Sequence, residues 1–211
     1  MGKLILCISS AIIEDIKGMV ETRSGLIAYY YFDFKDASKR DVRGLLASLL
    51  CQLGDDSERC AEVLHRLYAE CRDGSEKPSE VALVNCLKTI LELQEQVPIY
   101  FVMDALDECP IDTGTPSARE EVLDLVEDLV KSGHSNLFIC ITSRPEPDIQ
   151  TILNPLTSSS SRISLHEEGG QKDDINNYIL SFVHTDREMR RWRDEDKELV
   201  INTLSERAGG M

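Results

Sequence analysis

Residues 97–110, VPIYFVMDALDECP, leave few architectures open. The segment begins as a short apolar run rich in strand formers: Ile99, Tyr100, Phe101, Val102 and Met103. That composition predicts a buried strand. The run stops at Asp104, and Asp107 and Glu108 follow at once, with the small Ala105 leaving room for a tight turn and a close approach. Open α/β sheets place their ligands at the carboxyl ends of buried strands. An acid in that position can hold Mg2+ through water, and a neighbouring acid can polarise an attacking water. The competing reading is structural: a core strand running into a helix start, where Asp and Glu favour the dipole.

A second strand changes the weighing. Residues 136–142, NLFICIT, have the same buried character and end on Ser143-Arg144-Pro145. Side by side in a parallel sheet, the two strands would end on one edge. Arg144 would then face the carboxylates across a ligand, and arginine suits polydentate phosphate recognition. Alternatively, Arg144 pairs at the surface with Glu146 or Asp148.

The remaining chain supplies helices between strands. Residues 1–17 carry Ile5, Ile8, Ile12, Ile13 and Ile16 at helical spacing, and residues 26–34, LIAYYYFDF, read as a strand. Asp36 or Ser38 is placed to cap the next helix, whose face is Val42, Leu45, Leu46, Leu49, Leu50 and Leu53. Helices are predicted over 57–71 (face Val63, Leu64, Leu67, Tyr68) and 80–96 (face Val84, Leu87, Ile90, Leu91). Ser117 and Glu120 form a capping box for a helix to Lys131, closed by Gly133. A short helix is predicted at 146–153, a surface loop at 157–161, a short strand at 162–166, and helices at 173–184 and 186–207. Alternating strands and helices predict an α/β fold: a parallel sheet flanked by helices, in one domain.

Composition excludes several classes. With 211 residues, 42% hydrophobic and 29% charged, the chain can bury a core. No apolar run reaches the ~18 residues of a membrane span, and the first residues lack a signal-peptide cleavage pattern. A net charge of −15 argues against nucleic acid and anionic membranes as partners. Any phosphate must therefore be held by a few local donors. The seven cysteines show no zinc spacing and read as small buried hydrophobes in a reducing, cytoplasmic setting.

The order YYYFDFKDASKRD, LLASLLCQL, IYFVMDALDEC, LFICITSRPE, LSERAGGM resembles the NACHT-type P-loop NTPases of the STAND class. It is most similar to the nephrocystin-like N-terminal domains of fungal NLR-type proteins. The resemblance implies a P-loop NTPase-like parallel sheet flanked by helices, with ATP, in preference to GTP, and Mg2+ as ligands. It makes Asp104 the Mg2+-associated Walker B acid, Asp107 and Glu108 the catalytic acidic pair, and Ser143-Arg144 part of a sensor in which Arg144 reads the γ-phosphate. Gly2 and Lys3 would be the tail of the Walker A loop. It also implies that residues 1–211 are a domain truncated at both ends, lacking the first core strand.

One departure matters. A P-loop reads G-x-x-x-x-G-K-[ST], its backbone N–H groups cradling phosphate and its hydroxyl reaching Mg2+. Here Leu4 stands where the hydroxyl belongs; Ser9 or Ser10 offers one only in a slipped frame. Three expectations therefore stand side by side. The first is a nucleotide-switched signalling module, acting through protein partners or self-association. The second is a catalytically inactive interaction module without nucleotide. The third is an unrelated hydrolase with a metal on Asp104, Asp107 and Glu108, weakened because His65, His134, His166 and His184 lack ligand spacing.

Overall fold

The structure, a computed structural model, describes residues 2–23, 25–36, 39–93, 97–111, 116–163 and 169–208. It gathers into two compact units, Met1–Leu156 and Thr157–Met211.

In the first unit three strands, β1 (Leu26–Tyr31), β2 (Ile99–Asp104) and β3 (Leu137–Ile141), form a parallel sheet in the order β1-β2-β3. The register pairs Leu26 with Ile99 and Tyr31 with Asp104 on one side of β2, and Ile99 with Leu137 and Met103 with Ile141 on the other. Successive side chains alternate between the faces. Ala28, Tyr30, Ile99, Phe101 and Met103, with the partly buried Ile139 and Ile141, enter the main core. Ile27 and Val102, with Tyr29, Tyr100 and Cys140, line the opposite face.

That opposite face is covered by α1 (Gly2–Arg23). Ile13 and Ile16 are buried over Ile27 and Val102, and Val20 extends the same stripe. The spacing from Ser9 through Ile13 and Ile16 to Val20 is that of one helical face. The side chains of Ile5 and Ile8, expected on the apolar face, lie outside the described residues.

The main core is closed by α2 (Val42–Asp56), α3 (Glu58–Glu70), α4 (Glu80–Leu93), α5 (Ala118–Lys131) and α6 (Pro147–Leu153). All six apolar residues expected on α2 are buried. Its cap is Asp41, whose carboxylate accepts from Gly44 N at 2.7 Å, rather than Asp36 or Ser38. Asp36 instead belongs to the turn before it, and Ser38 lies outside the described residues. On α3, Cys60 and Val63 are buried while Tyr68 is exposed. The Ser117–Glu120 capping box forms, and Gly133 takes a positive φ of 69° beyond α5. β1 stops at Tyr31 rather than Phe34 because β2 turns away after Asp104. Asp33 then caps a turn through Lys35 N at 2.8 Å.

The outer edge of β1 is plugged by a side chain. Gln52 of α2 accepts from Tyr29 N at 3.1 Å and donates to Tyr29 O at 2.8 Å, replacing the bonds of a neighbouring strand. Such a cap blunts an edge that would otherwise template pairing. Gln52→Ala is expected to lower stability by about 1–3 kcal/mol, the cost of stranding partly buried backbone groups, measured by urea unfolding.

Of the cysteines, Cys60, Cys86 and Cys109 are buried as expected, but Cys51 is exposed. Burial, with Cys60 adding to it, pushes the Cys86 thiol up to about 11 from 9.0. The folded chain thus holds this proton more tightly than the unfolded chain. Its contribution to stability is full below about pH 9 and is lost as pH rises towards about 11. Urea midpoints measured across that window should fall less steeply in Cys86→Ala.

The second unit pairs α7 (Gly169–Thr185) with α8 (Asp194–Ala208), and Ile179 and Val183 of α7 are buried. The helix expected over 186–207 is interrupted. The Asp186 carboxylate accepts from Glu188 N at 2.9 Å and Met189 N at 3.1 Å, setting a 3-10 turn at Met189–Arg191. The helix restarts at Asp194, its first turn acidic, as the dipole favours. In the strand expected over 162–166, Arg162 and Ile163 have no regular structure and the rest lies outside the described residues. Among the described residues, no helix is long and apolar enough to cross a membrane.

Candidate functional site

The site grows out of the parallel register. Because β2 and β3 run the same way, Asp104 and Thr142 emerge on one edge of the sheet. The period of two turns Asp104 to the same face as Val102, the face covered by α1. Its carboxylate is only 2% exposed. It accepts from the hydroxyl of Ser9 on α1 and from that of Thr142 at the end of β3. A buried carboxylate needs such donors.

The turn after Asp104 is tightly pinned. Ala105 sits in the left-handed region at φ 56°, ψ 47°, a conformation that costs a non-glycine residue roughly 1–3 kcal/mol. Its N–H donates to Thr142 Oγ1 at 3.1 Å, and Leu106 N donates to Thr142 O at 3.0 Å. Leu106–Glu108 then form a single 3-10 turn with Leu106 fully buried. The tight turn expected from the small Ala105 is thus real, and Thr142 holds it.

Asp107 and Arg144 meet directly. Asp107 Oδ1 accepts from Arg144 N at 3.0 Å, and Arg144 Nε lies 3.3 Å from Asp107 Oδ2. The Asp107 side chain is 7% exposed and that of Arg144 is 53% exposed, so the guanidinium opens to solvent from a buried anchor. The surface pairing of Arg144 with Glu146 or Asp148 is not what forms; Asp148 pairs with Arg119 at 3.2 Å. Ser143 is exposed and donates to Arg144 O at 2.8 Å. Glu108 is half-buried, and its carboxylate makes no ion pair or hydrogen bond among the described residues.

Gly2 and Lys3 lie in the first turn of α1, and their side chains lie outside the described residues. Lys3 precedes Ser9 by six positions, about 9 Å along a helix axis at 1.5 Å per residue. The hydroxyl that reaches Asp104 is therefore that of Ser9, not that of a residue directly after Lys3. In the sequence, Ser9 is in view only as a hydroxyl in a slipped frame after Lys3, and Thr142 only as the residue leading into Ser143-Arg144 at the strand end. The signal for Ser9 is its place in the stripe Ser9–Ile13–Ile16–Val20; for Thr142, it is being the first polar residue after β3.

Cys140 borders this cluster on β3. Burial, and then the charge of Asp104, raise its thiol above the ordinary range. Among the described residues, no group of three or more His, Cys, Asp or Glu could hold a metal ion by itself. The donors around Asp104 are all oxygen: one carboxylate and two hydroxyls. That hard set suits Mg2+ shared with phosphate better than a closed protein cage for a softer metal.

No curated protein and no solved structure matches the chain. A family model described as Nephrocystin 3, N-terminal matches residues 1–144. The match runs from α1 through β3 and takes in Ser9, Asp104, Asp107, Glu108, Thr142 and Arg144, so the chain belongs to the nephrocystin 3 N-terminal family.

Proposed function

We propose that the chain is the nucleotide-handling module of a NACHT-type STAND ATPase, in which Mg-ATP binding and slow hydrolysis switch an intact signalling protein between states. The observation that carries this reading is Asp104, a buried carboxylate at the end of the central parallel strand, met by hydroxyls from α1 and β3. Asp104 and Ser9 would hold Mg2+, which supplies charge neutralisation at the phosphates. Gly2 and Lys3 would approach the phosphates from the N-terminal end of α1, where N–H groups and the helix dipole favour anions. Glu108, unengaged, would orient the attacking water. Arg144, anchored on Asp107 and open to solvent, would read the terminal phosphate. Protein partners or self-association would carry the output. The net charge of −15 speaks against nucleic acid and anionic membranes.

A specific observation favours a second reading, an interaction module without nucleotide. Asp104 already has two hydroxyl donors, and Asp107 and Arg144 satisfy each other, so the network is complete by itself.

Thermal unfolding separates the two. A ligand that binds only the folded state at a hundred times its Kd stabilises by about 2.7 kcal/mol, or about 5–10 °C for a domain of this size. The nucleotide reading expects such a shift with Mg-ATP and most of it lost in Arg144→Ala. Unchanged melting of the wild-type chain would favour the interaction module, and an undiminished shift in Arg144→Ala would remove Arg144 from the site.

A further inference from the structure

Arg119, on the first turn of α5, is a buried cation that the acidic site does not include. Its guanidinium reaches three acceptors. Nε donates to Cys109 O at 2.8 Å, one terminal nitrogen to Asp107 O at 2.5 Å, and the other to Asp148 Oδ2 at 3.2 Å on α6. Its own N–H donates to Pro110 O at 3.3 Å. The two carbonyls it holds are those on either side of Glu108.

We infer that Arg119 is the positioning residue of this site: by clamping the Asp107 and Cys109 carbonyls it fixes the 3-10 turn and so sets where Glu108 stands. The catalytic purpose of that placement rests on the nucleotide reading above; the clamp itself does not. A planar fork is required. Lysine offers one compact ammonium, which cannot span two carbonyls and a carboxylate at these distances. The clamp also explains why a turn carrying a left-handed Ala105 persists. Thr142 holds its start, and Arg119 holds its end. Asp148 supplies the countercharge that a guanidinium with an 8% exposed side chain needs.

The test is hydrogen exchange on the full chain carrying Arg119→Lys. The amides of Leu106, Glu108 and Cys109 are bonded within the turn region, and those of Phe101, Val102 and Met103 in β2 serve as controls. Loss of the clamp is expected to speed the turn amides about tenfold, the equivalent of one hydrogen bond, with the controls unchanged. If the turn amides keep their wild-type rates, Arg119 does not position the turn. Equal acceleration in β2 would reduce it to a general packing residue, which also overturns the proposal. Should Arg119→Lys fail to fold, Asp148→Asn keeps the guanidinium and loosens one anchor; it should move the same amides roughly threefold, as a part-exposed ion pair would. In Mg-ATP turnover, Arg119→Lys is expected to lower kcat on the order of 100-fold with KM held, the signature of a misplaced group. Unchanged kcat removes the role in placing Glu108. A wild-type chain without turnover fails the nucleotide reading alone, and the exchange pattern still decides whether Arg119 holds the turn.

Discussion

Under the proposed nucleotide role, Asp104→Asn is expected to weaken Mg2+-dependent ATP binding at least about 100-fold while the chain stays folded. Asparagine keeps the shape and one acceptor oxygen at the end of β2. The Ser9 and Thr142 hydroxyls can donate to that oxygen or rotate to accept from the new amide, so the buried network survives. The stability change should stay within about 1 kcal/mol. What disappears is the negative charge that a hard dication requires. Removing a group that merely supports a metal ligand weakens affinity about 10–100-fold, and losing the carboxylate itself should cost at least about 100-fold. Calorimetric titration together with urea unfolding separates the two effects. Wild-type affinity in a folded Asp104→Asn chain would remove this residue from any nucleotide site.

Phe101→Ala should produce the largest loss of stability of any single truncation in the sheet. Phe101 is fully buried at the centre of β2, with Ala28 beside it in β1 and Ile139 beside it in β3. The small Ala28 makes the space that the ring fills, and nothing nearby can swing in after truncation without leaving its own contacts. Phe→Ala in such a position costs about 3–5 kcal/mol from lost transfer energy plus the residual cavity. Against a typical total of about 5–15 kcal/mol, that is enough to leave a substantial fraction unfolded. The urea midpoint should drop with an unchanged slope. Phe138 on β3 provides the contrast: it is 50% exposed and stacks on Tyr100, with centroids 5.1 Å apart. Phe138→Ala should cost about 1 kcal/mol, the scale of one aromatic pair. Equal losses for the two variants would mean that β2 is not the centre of the core.

The contrast between these residues shows what a sequence can disclose. The apolar run ending at Asp104, the leucine stripe of α2 and the Ser117 capping box are local patterns, and each appears where its pattern places it. Asp107 and Glu108 were legible for the same reason, being within four residues of the strand end. Arg144 was expected to face these carboxylates across a ligand, and it pairs with Asp107 directly; that Asp104 meets Ser9 and Thr142 was not legible. Ser9 is 95 positions from Asp104, and Thr142 is 38. No periodicity records such meetings, although Ser9 does occupy the helical stripe that covers Val102. Arg119 carries no sequence signal beyond its place on a capped helix, and only the fold shows the two backbone carbonyls and the Asp148 carboxylate that it reaches. Helix ends were misjudged where a side chain competed for backbone groups: Asp41 in place of Asp36 before α2, and Asp186 inside the span expected to be one helix.

The most direct measurement is a calorimetric titration of ATP into the wild-type chain, with Mg2+ and again with Mg2+ chelated. The proposed nucleotide role predicts saturable one-to-one binding that needs Mg2+, because in that role Asp104 would engage the metal rather than the base or sugar. Absence of binding at millimolar nucleotide, or the same affinity without Mg2+, would contradict it.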